Sequence, residues 1–133
     1  MDKSSIEIKV RGYHLDVYQH VNNARFLEML EEARWSHYEA YPPNLFIEKG
    51  WGFVVVNINI DYKNPAVLGD VLRIQTELSR IGGSSLTLRQ EVSIKKTCVL
   101  AAGADVTFVI IDLKTKKVLP VEGELLEVLT RKL

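Results

Sequence analysis

The hydrophobic and polar positions along the chain predict one long helix that follows a first strand. Residues 6–11 alternate apolar and polar side chains, as a half-buried strand does. A helix is predicted from Asn22 or Asn23 to about Tyr41, because an asparagine can cap its start and two prolines follow its end. Apolar residues fall on several sides of this helix, which indicates that other elements surround it.

The rest of the chain predicts an antiparallel meander of four strands, at residues 53–63, 71–80, 86–96 and 98–112, followed by a short helix. Strict alternation in the first of these strands places five apolar side chains on one face: Val54, Val56, Ile58, Ile60 and Tyr62. Since one long helix must cover so much sheet, the economical packing curls the antiparallel sheet around that helix. We therefore expect an α+β fold in a single domain spanning residues 1–133.

Composition and charge exclude several classes of partner. Lysine plus arginine and aspartate plus glutamate both number 17, and the chain has no basic block or aromatic-basic stripe for nucleic acid. The single cysteine, Cys98, cannot form an intrachain disulfide, and the N-terminal residues lack the apolar segment of a signal peptide. The most apolar stretch is too short to span a bilayer and carries Asp105. We expect a cytoplasmic protein with no nucleic-acid or membrane partner.

The sequence indicates neither a metal nor a cofactor. His14 and His37 lack metal-ligand spacing with each other and with Cys98. Gly82 and Gly83 are part of a predicted hairpin turn, because no phosphate-binding glycine motif is present. Any chemistry is therefore expected from the side chains and backbone groups of the chain itself.

Two motifs carry a specific resemblance to a known family. Residues 11–35 include D-V-Y-Q-H-V-N-N at the start of the predicted helix, and residues 62–70 read Y-K-N-P-A-V-L-G-D. With the surrounding chain, they resemble the 4-hydroxybenzoyl-CoA thioesterase family, and within it the long-chain acyl-CoA thioesterases of the FadM/YbgC type. The resemblance implies the hotdog fold, a curled antiparallel sheet wrapped around one long central helix. It also implies hydrolysis of acyl-CoA thioesters, above all of long-chain fatty acyl-CoA, by a homodimer or homotetramer whose active sites lie at the subunit interface.

Thioester hydrolysis needs a nucleophile or base, and donors aimed at the oxygen that becomes negative. The resemblance implies that Asp16 is the catalytic carboxylate and that the backbone N–H of Asn23, at the positive end of the helix dipole, polarises the carbonyl. His20 and Asn22 lie between them and are candidates to position water or the acyl group. Each has a structural alternative: Asp16 as a turn cap, His20 as a hydrogen-bonded structural histidine, and the asparagines as helix caps.

Three glutamates on the predicted helix offer another source of a carboxylate, because a second branch of hotdog thioesterases takes its acid from this helix. They are Glu28, Glu31 and Glu32. Glu28 and Glu31 have arginine neighbours at helical spacing, Arg25 and Arg34, so surface ion pairs or a subunit contact are favoured.

Two other functions fit the same fold. Some hotdog proteins hydrate enoyl thioesters with a paired Asp and His, and Asp16 and His20 are four residues apart. The asparagine-proline context of the hydratase signature is absent, however. A non-catalytic acyl-thioester binder could dispense with Asp16, so the presence of this carboxylate favours catalysis.

Overall fold

The computed structural model describes residues 3–39, 41 and 44–130. Its helices and strands are, in chain order, β1 (Lys3–Lys9), α1 (Asn23–His37), α2 (Leu45–Glu48), β2 (Trp51–Tyr62), β3 (Val71–Ile81), β4 (Leu86–Ile94), β5 (Leu100–Asp112) and α3 (Gly123–Thr130). The five strands form an antiparallel sheet in the order β1-β3-β4-β5-β2, so that β1 and β2 are its edges. The predicted α+β fold, with a curled sheet and one long helix, is confirmed. The predicted meander is correct for β3, β4 and β5 and wrong for β2, which pairs with β5 and not with β3.

The core lies between the inner face of the sheet and the helices that cover it. Helix α1 buries Phe26, Met29, Leu30 and Ala33, because these residues recur at spacings of three and four along its length. Burial of each of the larger side chains, Phe26, Met29 and Leu30, contributes roughly 1.5–3 kcal/mol to the stability of the folded state. Helix α3 covers the other end of the same face, where Leu125 and its neighbours pack against β3, β4 and β5.

Helix α1 is shorter than the predicted helix and ends at His37. Tyr38 has left the helical conformation, and its hydroxyl donates a hydrogen bond to the backbone oxygen of Leu129 in α3 (3.3 Å). Its ring also stacks on that of Phe53 in β2, with 6.0 Å between the ring centroids. These contacts with two later elements end the helix before the prolines, Pro42 and Pro43, which lie outside the described residues.

The predicted alternation of β2 is correct for Ile58, Ile60 and Tyr62 and wrong for Val54 and Val56. A β-bulge at Val56 inserts one extra residue between the pairs that β2 makes with β5. Every side chain before the bulge therefore changes face. The bulge turns Phe53 and Val55 towards the inner face of the sheet and Val54 towards the outer face.

A buried amide joins α1 to the sheet. The side chain of Gln90 in β4 is fully buried, and its Nε2 donates to the backbone oxygen of Leu30 (3.0 Å) and to Oγ1 of Thr76 (3.0 Å). Its Oε1 accepts from Nη1 of Arg34 (3.1 Å). The amide thus fixes the middle of α1 at one position over the sheet.

Candidate active site

The loop between β1 and α1 folds into a small closed turn. Leu15 and Val21 form an isolated antiparallel bridge, and the backbone N–H of Asp16 donates to the oxygen of His20 (2.9 Å). At the tip, the N–H of Gln19 donates to the oxygen of Asp16 (3.0 Å), and Gln19 itself has a left-handed φ of 65°. Asp16 and His20 therefore face each other across the base of this turn.

The two oxygens of the Asp16 carboxylate differ, since Oδ1 is hydrogen-bonded within the turn and Oδ2 is not. Its Oδ1 accepts hydrogen bonds from the backbone N–H groups of Tyr18 (2.9 Å) and His20 (3.3 Å). Its Oδ2 has no hydrogen-bond partner among the described residues. Asp16 therefore caps the turn, as its structural alternative required, and still presents one oxygen that could attack a carbonyl or take a proton from water.

The start of α1 offers a free backbone donor. Asn22 is the N-cap, since its Oδ1 accepts from the N–H of Ala24 (2.8 Å), and its backbone oxygen accepts from Arg25 (2.9 Å) and Phe26 (3.2 Å). Within the described part of the chain, no group accepts the N–H of Asn23. This unpaired donor lies at the positive end of the helix dipole, where developing negative charge is stabilised.

The second motif, residues 62–70, makes hydrogen bonds that hold this junction between the loop and α1 in place. The backbone oxygen of Ala66 accepts from the N–H of Val21 (2.9 Å). The hydroxyl of Tyr62 donates to the backbone oxygen of Asn23 (3.0 Å), and its ring packs on that of Phe26, with 5.8 Å between the ring centroids. Burial raises the pKa of Tyr62, so the hydroxyl stays protonated as a donor. The Y-x-x-P-A spacing was the available signal.

The four predicted site residues thus meet at one loop–helix junction. They are Asp16, His20, Asn22 and Asn23. The imidazole of His20 is exposed and has no hydrogen bond to any of the residues that the structure describes, so its structural alternative gains no support. The cap predicted for the asparagines is made by the side chain of Asn22.

The helix acids behave differently from one another. Glu28 forms the predicted surface ion pair with Arg25, with 2.7 Å between Nη1 and Oε1. No acid among the described residues lies within ion-pair distance of Arg34, which turns inwards to Gln90, so the surface ion pair predicted as one alternative for Glu31 is not formed. The other alternative, a subunit contact, stays a prediction.

The described residues form neither a metal-binding cluster nor a membrane-spanning helix. They contain no group of three or more histidine, cysteine, aspartate or glutamate side chains that could hold a metal ion. None of the helices that the structure describes is long and apolar enough to cross a membrane.

Comparison with known proteins places this geometry in a family. Residues 10–129 match the model of the thioesterase-like superfamily. The chain is 53% identical over 122 residues to the long-chain acyl-CoA thioesterase FadM of Escherichia coli strain K12, covering 91% of this chain and 92% of that relative. It is 32% identical over 108 residues to the acyl-CoA thioester hydrolase YbgC of Escherichia coli O6:H1, covering 77% and 79% of the two chains.

Solved structures agree with the fold. The crystal structure of the probable thioesterase YbaW from Escherichia coli matches with a TM-score of 0.89 and 52% identity, over 94% of this chain and 95% of that one. A 4-hydroxybenzoyl-CoA thioesterase mutant in complex with 4-hydroxybenzoyl-CoA matches in fold, with a TM-score of 0.85 at 19% identity, over 95% and 97%. The predicted hotdog fold and family resemblance are confirmed, and the chain belongs to the thioesterase-like superfamily.

Proposed function

We infer that the protein is a thioesterase that hydrolyses acyl-CoA, with long-chain fatty acyl groups as its main substrates, to free acid and coenzyme A. The observation that carries this function is the junction between the loop and α1. There a carboxylate with a free Oδ2 precedes, by seven positions, a helix whose first N–H is unpaired. The 53% identity to a relative named as a long-chain acyl-CoA thioesterase supports the substrate class.

In the proposed reaction, the thioester oxygen accepts a hydrogen bond from the N–H of Asn23. Asp16 either attacks the carbonyl carbon or removes a proton from the water that attacks it. The C–S bond then breaks, and the thiolate of coenzyme A takes up a proton from the protonated Asp16 or from water. Where Asp16 is the nucleophile, this step leaves an acyl–Asp16 anhydride, which a water molecule hydrolyses to release the free acid and restore the carboxylate. One donor of the Asn23 type is worth about 3 kcal/mol in the transition state. We assign the positioning of water to His20 and contact with the acyl carbonyl region to Asn22.

The hydratase alternative receives less support from the same contacts. A paired Asp and His would need the two side chains to meet, whereas the Asp16 carboxylate bonds to the backbone N–H of His20. The non-catalytic binder would not need the free Oδ2 of Asp16. Both alternatives still predict measurable outcomes that differ from hydrolysis.

The deciding experiment measures free thiol release from a series of acyl-CoA esters, from short to long, that includes an enoyl-CoA. Release that rises with chain length supports the proposed function. Loss of the enoyl absorbance without thiol would identify a hydratase. Binding of the esters without either change would identify a binder. A cytoplasmic location and a role in fatty acid metabolism stay predictions.

We propose that the acyl chain lies along the inner face of β2, on a surface that we call the apolar strip. The strip consists of Tyr62, Ile60, Ile58, Val55 and Phe53. It begins at Tyr62, which contacts Asn23, and ends where the ring of Phe53 packs against Phe46 (4.6 Å) and Phe108 (5.5 Å). Its two ends pair with Ala102 and Ile110 of β5, which are eight positions apart because Val56 is bulged out. At about 3.3 Å per residue the strip is roughly 26 Å long, which suits an extended long-chain fatty acyl group.

Phe53 closes the far end of the apolar strip, so Phe53→Ala is expected to shift the substrate preference towards longer chains. Removal of the ring leaves space for additional methylene groups at the end of the acyl chain. The kcat/KM for esters longer than the best wild-type substrate, divided by the kcat/KM for that substrate, should therefore rise by about tenfold. Thiol release across the chain-length series measures the shift. Val54→Ala, on the outer face of the same strand, is the matched control. An identical profile for both variants would rule out this end of the strip as a length limit.

We also propose that the protein forms a homodimer through the edge strand β2, and that dimers can pair into a homotetramer. Val54, Val55 and Val56 are 38%, 43% and 55% exposed, although they belong to a twelve-residue strand with free edge groups. Long apolar edges pair readily with another chain. The other edge, β1, carries Lys3, Glu7 and Lys9, which discourage such pairing.

Val56→Lys is expected to dissociate this dimer. In a two-fold interface both copies contribute the same strand, so each lysine would lie against the apolar edge of the other copy. Burying this charge without a partner is unfavourable. Light scattering coupled to gel filtration should show the mass halve, from a dimer to one chain or from a tetramer to a dimer that the other interface holds. Ser5→Lys places the same charge on the β1 edge and should leave the mass unchanged. If Val56→Lys keeps the wild-type mass, β2 is not the interface.

A further inference from the structure

His14 connects the end of β1 to the start of α1 through three hydrogen bonds. Its ring Nδ1 accepts from the backbone N–H of Arg11 (2.8 Å), and the backbone N–H of His14 donates to the backbone oxygen of Arg11 (3.0 Å). These two bonds close the single 3-10 turn at Gly12–His14. The backbone oxygen of His14 then accepts from the N–H of Asn22 (2.9 Å), the residue that caps α1.

We propose that His14 is a positioning residue, whose neutral imidazole holds Asn22 and thereby aims the N–H of Asn23 at the thioester oxygen. This role rests on the proposed function of that N–H. His14 itself is buried and touches no reacting atom in the proposed reaction. Its contribution is the fixed geometry between the loop and the helix, and small displacements of a catalytic donor are costly in rate.

The surroundings of His14 favour the neutral ring. An imidazole whose Nδ1 accepts a hydrogen bond carries its proton on Nε2, whereas an imidazolium donates from both nitrogens and cannot accept from Arg11. The titratable and charged groups around the ring, from the turn and from the face of α1 that lines a cleft of about 260 Å³ with His14, are Arg11, Tyr13, Arg25, Glu28 and Glu32. On the β1 side the cleft is lined by Ile8.

Protonation of His14 is therefore expected to open the turn. Burial lowers its pKa below the ordinary value of 6.5, the charges of Arg25 and Arg11 lower it further, and Glu28 opposes them. Because the folded-state pKa is the lower one, the folded protein disfavours the charged ring. The arrangement is intact at and above pH 6.5 and is lost only as the pH falls through the lower, folded-state pKa.

The test is the pH profile of kcat for thiol release from a long-chain acyl-CoA by wild type, His14→Asn and His14→Leu. Asparagine carries an acceptor, Oδ1, at the position of Nδ1 and does not titrate. It should keep kcat at pH 7.5 within about threefold of wild type and move the acidic decline to lower pH, whereas leucine should lower kcat by roughly tenfold or more. KM should change less than kcat for both variants.

His37→Asn is the matched control, since His37 lies at the other end of α1, and its pH profile should follow the wild type. An acidic decline in His14→Asn that coincides with that of wild type would overturn the positioning role. A wild-type kcat in His14→Leu would do the same. If His14→Leu does not fold, the asparagine variant decides alone. A wild type that releases no thiol from any ester would overturn the proposed function, and this role with it.

Discussion

Asp16→Asn is expected to lower kcat for acyl-CoA hydrolysis by roughly a hundred- to ten-thousandfold, the usual contribution of a positioned base, and by more if Asp16 is the nucleophile. An amide neither attacks a thioester efficiently nor takes a proton from water at neutral pH. KM should change little, because the apolar strip and the helix start would stay in place. Steady-state thiol release gives kcat and KM, and single-turnover release isolates the chemical step. Thermal unfolding of the purified variant reports whether its stability has changed.

Asparagine is a cleaner substitution than alanine at this position. The Oδ1 of Asp16 accepts the N–H groups of Tyr18 and His20, and an asparagine Oδ1 can keep both bonds. Alanine would leave both donors without their partner and could displace the loop, so lost activity in Asp16→Ala would mix chemistry with local unfolding. Equal thermal unfolding of Asp16→Asn and wild type would assign the loss to the carboxylate.

Asp112→Asn provides a matched control for the same change. The Oδ1 of Asp112 also accepts two backbone N–H groups in a turn, from Lys114 (2.8 Å) and Thr115 (3.0 Å), and these bonds hold the pKa of the carboxyl below its ordinary value. Asp112 pairs with Trp51, at the opposite end of β2 from Tyr62, so its variant should keep full activity. Full activity in Asp16→Asn would instead refute the loop acid and direct attention to Glu28 or Glu32.

The candidate residues of the site could be predicted from sequence because they are neighbours in the chain. Eight consecutive positions hold Asp16, His20, Asn22 and Asn23, and a loop that enters a helix keeps such positions together whatever the rest of the fold does. The helix cap followed from local chemistry, since an asparagine before a helix can accept a first-turn N–H. The roles of Tyr62 and Ala66 depend on a tertiary contact between distant segments; the Y-x-x-P-A spacing marks these residues but does not show which part of the chain they contact.

The errors have a common physical origin in packing between elements. The bulge at Val56 adds one residue to a strand whose side chains remain apolar on both sides of it, so the hydrophobic pattern carries no mark of the inserted position. Arg34 has Glu31 at helical spacing, which predicts a surface ion pair. It turns inwards because Gln90 of β4 offers a buried acceptor, and that acceptor lies 56 residues further along the chain.

Gln90→Leu is expected to lower the free energy of unfolding by about 2–4 kcal/mol, although leucine is close to glutamine in size. Removal of the Gln90 amide leaves Oγ1 of Thr76, a residue that is 1% exposed, without its donor. It also removes one acceptor from the Arg34 guanidinium. Burial lowers the pKa of Arg34, so the loss of one acceptor leaves a partly desolvated charge with less compensation. Urea unfolding at one fixed protein concentration measures the loss, since an oligomer's stability depends on concentration.

Two further variants separate the hydrogen-bond network from the change of residue type. Gln75→Leu makes the same substitution on exposed β3 surface and should change stability by less than about 0.5 kcal/mol. In a Thr76→Val background, Gln90→Leu should cost less than it does alone, because one of the groups that it strands is already gone. Equal costs in both backgrounds would show that the bond to Thr76 adds nothing to the contribution of the amide. A lower cost in the Thr76→Val background would show that the polar contact between β3 and β4 stabilises the protein inside an apolar core, beside the bonds by which the same amide holds α1 through Leu30 and Arg34.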